Sequence, residues 1–205
     1  MSSTPQHSSV RIVVADPSAL GLFGLAMVTL VASSQKLGFT TGLSFIVPWA
    51  LFLGALAQLM ACAYDFKHGN TFGATAFGAY GLFWVGVAAS WLIRMGVFGP
   101  ELAAEVDPRE LGVAFLGYTI FSLYMTLGAM ETHKVLFSIF VLIDVLLGAL
   151  AYNTFFPQSH GARALAAWSE LAISLLSFYG SAAAVLNNHF GRPFLKVGRP
   201  FGWFK

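Results

Sequence analysis

A chain of 205 residues that is 57% hydrophobic and only 10% charged, with a mean hydropathy of +0.73, is far from a soluble domain, where about 25% of residues carry charge. The composition is that of an integral membrane protein, and a formal charge of +2 with no Lys/Arg run excludes a nucleic-acid surface. The single cysteine, Cys62, lies inside an apolar run, so no intrachain disulfide forms and the thiol does not reveal the compartment.

The first 16 residues are rich in Ser, Thr, Gln and Pro and have little to bury, which predicts a partly disordered polar tail. Asp16-Pro17 then opens an apolar run from about Ser18 to Ser34, with Pro17 suited to the first helical turn. The stretch Leu20 to Val31 followed by Ala32-Ser33-Ser34 has the outline of a signal peptide. Only one base, Arg11, precedes it, however, and Asp16 follows that base, so it reads as a retained span. Further apolar runs cover Phe45 to Ala63, Phe72 to Ile93, Leu111 to Met130, Val135 to Phe156 and Ala164 to Leu186, the last interrupted by serines and Glu170. At 1.5 Å per residue each is long enough for about 30 Å of hydrocarbon, the first with some accommodation by the bilayer. The predicted fold is an all-α integral membrane protein, with a six-helix domain over residues 17–190 and a basic tail over 191–205. No length remains for a soluble catalytic domain.

The third run has an unusual start. Asp65-Phe-Lys-His-Gly69-Asn70-Thr71 begins with charges, turns on Gly69 and offers Asn70 or Thr71 as a helix N-cap. At 100° per residue Gly73, Phe77, Tyr80 and Trp84 share one stripe and Ala74, Gly78 and Gly81 a neighbouring one. The first stripe suits a narrow path or an ordinary core; the small-residue stripe permits close backbone approach. A base count orients the chain. With the N-terminus cytoplasmic, Arg11, Lys67, Lys134, Arg192, Lys196, Arg199 and Lys205 lie inside, against Lys36, Arg94, Arg109 and Arg163 outside. Both termini are then cytoplasmic in a cell (plasma or inner) membrane, and the acidic loop Gly96 to Glu110 is a solvated outer cap.

Three stretches in order carry a family likeness: Asp16-Pro17-Ser-Ala-Leu-Gly21-Leu-Phe-Gly24, then Gln58 with Asp65 through Trp84, then Asn187-Asn-His-Phe-Gly191-Arg192. Together they resemble the acetate uptake transporter family, whose members include succinate-acetate permeases, and the likeness covers about Asp16 to Gly198. It implies a six-helix protomer that encloses its own narrow pore, assembled as a homo-hexameric ring and carrying small monocarboxylates and, in some members, succinate. Within it Asp16, Pro17, Gly21, Gly69 and Gly73 are signature positions. The family's apolar constriction falls on Leu25, Tyr80 and, by ungapped counting, Ile143. Gln58, Asn70 and Thr71 are the polar groups implied to meet the substrate, supported by the unpaired N–H groups of a helix start, with Phe77 and Trp84 on the same stripe as Tyr80.

The chain also departs from the family. Asp16 stands where Asn is usual, Asp65 where Glu is usual, and Leu25 where a bulky aromatic is usual, which removes a ring from the narrowest point. Asp144, near the middle of the fifth run, has two readings: a titratable group beside the constriction, or a neutral acid bonded to another helix. The histidines at 7, 68, 133, 160 and 189 have no i, i+4 pairing and no Cys partner, so neither a metal nor another cofactor is expected. No nucleophile elbow or phosphate loop is present either, and the chain reads as a non-enzyme. The expected function is a membrane channel or transporter for acetate and related carboxylates, possible proton linkage included. The alternatives are a channel for a small neutral or cationic solute such as urea or ammonia, and a structural or sensing protein whose pore is closed.

Overall fold

Polar caps decide where the apolar runs become helices. In the computed structural model, which describes residues 14–204, six helices are long and apolar enough to cross a membrane: Ser18–Lys36, Ile46–Lys67, Thr71–Arg94, Pro108–Ala129, Lys134–Phe155 and His160–Phe190, the first to sixth spans. The tail expected to be disordered, together with Arg11, His7 and Lys205, lies outside the described residues or at their edge. Asn70 caps the third span, its side-chain oxygen accepting from the Gly73 N–H at 3.1 Å. Asp107 caps the fourth at 2.9 Å with Pro108 in the first turn, His133 the fifth through Nδ1 at 3.1 Å, and Ser159 the sixth. The acidic loop before the fourth span holds a short helix, Pro100–Ala104, with no buried residue.

Each expected run matches one span, with Phe45, Met130 and Phe156 one residue beyond the helix ends, but the sixth span is longer than its apolar stretch. Its polar ends are helical too, from His160 to Phe190, because Ser159 caps one end and Gly191, at φ 61°, ends the other in the left-handed region. The second span contains a feature that hydropathy does not reveal. Ala50–Ala57 is a π-helix between α-helical turns, a rare geometry that often marks functional positions.

The spans close into a ring in chain order. The first and sixth pack closely, with Ser174 and Ser181 hydroxyls donating to the Ala26 and Ala19 carbonyls at 2.8 and 2.7 Å and Lys36 paired with Glu170 at 2.8 Å. The second and third meet through glycines: a Cβ at Gly54 would stand 2.8 Å from Trp84, one at Gly78 2.9 Å from the Cys62 sulfur, and one at Gly81 3.0 Å from Leu59. The small-residue stripe of Ala74, Gly78 and Gly81 is therefore used inside the protomer. Between the third and fourth spans the backbones approach least. Rings bridge that seam, with Tyr80 against Phe121 at 5.5 Å and Phe83 against Tyr118 at 4.9 Å.

Candidate functional site

The ring encloses a cavity of about 1080 Å³ that opens where six chain segments come together: the entry to the first span, the end of the second, the start of the third, the Glu131–His133 turn, the end of the sixth and the C-terminal segment. Of the signature residues, Asp16 and Gly73 line it. Asp16 also holds the entry to the first span, its Oδ1 accepting from the Ser18 N–H at 2.9 Å and the Ser18 hydroxyl at 2.6 Å. Gly69, at φ 70°, makes the turn into the third span. Gly21 leaves room for the Phe77 ring, which a Cβ there would overlap. Pro17 stands just before the first helix.

Leu25, Tyr80, Ile143 and Gln58 all line the cavity. Each lies seven to nine residues from the mouth end of its own span, or about 10–14 Å deep at 1.5 Å per residue. Residues from four different spans thus stand at similar depth along the cavity, and all four are buried. Tyr80 is fixed there by its hydroxyl, which donates to Ser122 Oγ at 2.9 Å. Gln58 follows directly on the π-helix. Its Nε2 donates to the Gly54 carbonyl at 2.6 Å, while its Oε1 is buried without a partner.

Asn70 and Phe77 line the path nearer the mouth. Thr71 is exposed at the first turn of the third span and lies off the lining. Trp84, one turn beyond Tyr80, also lies off it, buried against Gly54 and stacked near Phe83 and Trp91. Asp144 points away from the cavity lining as well: Thr126 of the fourth span donates to its Oδ2 at 2.7 Å.

Some of the mouth was not anticipated. Glu131 and His133 line it, and both are short-turn residues whose position toward a cavity depends on which helix ends converge. Burial holds the His133 imidazole below the ordinary histidine range, while the Asp16 carboxylate pulls it the other way. The C-terminal segment expected as a basic tail folds back over the opening. Its Val197 carbonyl accepts from the Val135 N–H at 3.1 Å and its Phe201 N–H donates to the Met130 carbonyl at 2.9 Å. Glu131 Oε1 accepts from the N–H groups of Trp203 and Phe204 at 2.8 and 3.1 Å. Asn187 pairs with both backbone groups of Leu195. Val197 and Phe204 thereby become part of the lining. Among the described residues no cluster of three His, Cys, Asp or Glu is arranged to hold a metal ion.

Comparison with known proteins places this architecture. The sequence profile described as the GPR1/FUN34/yaaH family matches residues 2–195. The chain is 32% identical over 187 residues to the succinate-acetate/proton symporter SatP of Escherichia coli K12, covering 90% of this chain and 96% of that one. It is 32% identical over 179 residues to the glyoxylate pathway regulator of Yarrowia lipolytica, covering 84% and 64% of the two chains. Among solved structures, that of the bacterial acetate channel SatP superposes with a TM-score of 0.83 at 31% identity, covering 91% of this chain and all of that one.

Proposed function

Because the chain belongs to the GPR1/FUN34/yaaH family, we propose that it carries acetate and related small carboxylates, succinate among them, across a cell membrane in a proton-linked manner. The observation that carries this reading is the cavity running from one end of the six-span ring to mid-depth, with Leu25, Tyr80 and Ile143 on its lining. It supports a solute path whose aperture, the waist, is formed by those three residues, and a path of that kind belongs to transport rather than catalysis. Asn70 and the first turn of the third span receive the carboxylate in the vestibule, Thr71 adds a hydroxyl at its rim, Phe77 shapes the approach, and Gln58 meets the substrate at the waist. Trp84 holds the wall behind the aperture.

Two relatives support the substrate class by their names, one a succinate-acetate/proton symporter and the other an acetate channel. The assembly is a ring-shaped homo-hexamer with one path per protomer, supported by the long apolar face that the fourth span leaves uncovered at Val113, Leu116, Ile120 and Leu123. An even number of spans puts both termini at one face, and the base count puts that face in the cytoplasm.

Uptake of labelled acetate into vesicles containing the purified protein, with and without an inward proton gradient, tests the proposal. Gradient-stimulated uptake above that of protein-free vesicles is expected; uptake equal to that of protein-free vesicles overturns it. A second reading, a channel for a small neutral or cationic solute such as ammonia, is favoured by a lining that holds three carboxylates and no Lys or Arg. Ammonia entry into the same vesicles, followed by internal pH, separates the two.

A further inference from the structure

A carboxylic acid meets a membrane in two forms, and they ask opposite things of a path. The anion needs N–H or O–H donors or a fixed cation, whereas the undissociated acid brings its own O–H and needs an acceptor. Amide and hydroxyl donors lie near the mouth, at Asn70, Thr132 and Asn188, and the inner end of the lining offers the second kind of partner. The ionisable residues of the lining are Asp16, Asp65, Glu131 and His133, and neither Lys nor Arg is among them.

At the mouth Asn70 Nδ2 gives one of its two N–H groups to Asp65 Oδ1 at 3.0 Å, and His133 Nδ1 accepts rather than donates. At the waist Tyr80 has given its only hydroxyl proton to Ser122. Leu22, Leu25, Ile139 and Ile143 contribute no polar side-chain atom. Gln58, 1% exposed, has its N–H side turned to the Gly54 carbonyl and leaves Oε1 buried, unpartnered and on the cavity lining. Exchanging its oxygen and nitrogen would set two carbonyl oxygens against each other, so Gly54 decides which atom is free. A buried acceptor without a donor calls for an explanation, and of the two on the lining Asp65 Oδ2 lies nearer the mouth while Gln58 Oε1 lies at the inner end. Deeper in the spans Asp144 and Glu170 lie off the lining, the first bonded at Oδ2 by Thr126 and the second paired with Lys36. Among the described residues, no titratable side chain other than Tyr80 lies at the waist to relay a proton across it.

We propose that the species crossing the waist is the undissociated acid, its O–H donated to Oε1 of Gln58, so that the proton travels on the substrate and not on a side chain. This rests on the carboxylate-transport reading and specifies how its proton link arises. The anion takes up a proton on one side, the neutral acid passes the apolar waist, and the same proton is released on the other side. No net charge moves. The vestibule carboxylates do not attract the anion, and no fixed cation retains it.

The test uses the full chain in vesicles and two labelled probes of similar size, acetate and the much stronger acid fluoroacetate, each corrected for protein-free vesicles. At fixed total concentration, acetate uptake is expected to fall about tenfold for each pH unit above the acid's own pKa. Fluoroacetate is expected to be slower by the ratio of the two undissociated fractions. A potassium diffusion potential set with valinomycin should leave both rates unchanged. Gln58→Leu, which keeps bulk and removes the acceptor, should lower acetate uptake by about tenfold or more, a loss of roughly 1.4 kcal/mol, with the thermal midpoint retained. Uptake driven by the potential, or equal rates for the two probes, overturns the proposal while leaving carboxylate transport intact. A wild-type rate in Gln58→Leu overturns the role of Gln58. Absence of protein-dependent uptake removes the transport reading itself.

Discussion

Tyr80, Asp144 and His133 show how much of a polar side chain's role is decided by where its hydrogen bond goes. Tyr80 spends its hydroxyl on Ser122 and lines the cavity with the rest of its side chain. Tyr80→Ala removes the ring without touching the vestibule, so the flux of larger acids should rise relative to acetate; an unchanged ratio in a folded variant would move the aperture elsewhere. Asp144 accepts from Thr126 at Oδ2 across the fourth and fifth spans, while its Oδ1 is buried without a partner. Asp144→Asn keeps an acceptor there, so acetate uptake and its pH profile should match wild type, and Thr126→Val should cost about 0.6 kcal/mol, the average for such interhelical bonds. A flattened pH profile in Asp144→Asn would instead give Asp144 a part in transport. His133 caps the fifth span through an unprotonated Nδ1 and has its pKa lowered by burial. Above the unfolded value of about 6.5 both states are neutral; as pH falls below it the unfolded chain binds the proton first, so stability falls with acidification until the folded pKa is passed. His133→Asn preserves a cap that does not titrate in this range, and the slope of thermal midpoint against pH should flatten between pH 7 and 5.

Among the elements, hydropathy revealed what it measures. Six apolar runs, the Asn70 cap and the Gly69 turn were legible because bilayer crossing and turn geometry are local demands on sequence. That Leu25, Tyr80 and Ile143 line one cavity at similar depth was legible only through likeness to a family, since nothing local says that residues of different spans share one depth. The Asp144–Thr126 bond, the π-helix at Ala50–Ala57 and the returning C-terminal segment were not legible, because each depends on which elements become neighbours. The π-helix has a physical correlate in the first span: a Cβ on Gly24 would collide with the Leu53 carbonyl oxygen. Gly24→Ala should therefore push the first and second spans apart, costing about 1–3 kcal/mol, read as a lower thermal midpoint in detergent. A midpoint equal to wild type would mean that the π-helical turn relaxes without cost.

On the scale of the whole molecule, the ring has one lightly packed boundary, the aromatic seam of the third and fourth spans, while its other boundaries are close helix pairs. Topology is open to a direct experiment. Single cysteines at Arg199 and Ala104 in a Cys62-free background should react from opposite sides of the membrane, and labelling of both from one side would contradict an odd number of crossings between them. The C-terminal segment has a further consequence for anyone handling the protein. Residues 196–204 lie past the stretch shared with the family profile, yet Val197 and Phe204 form part of the mouth and Glu131 grips the backbone beside them. An affinity tag or fluorescent fusion joined after Lys205 would hang beside the entrance. Uptake measured with such a fusion would report the tag's obstruction as well as the protein's own rate, and comparison with a tag-free chain would show the difference.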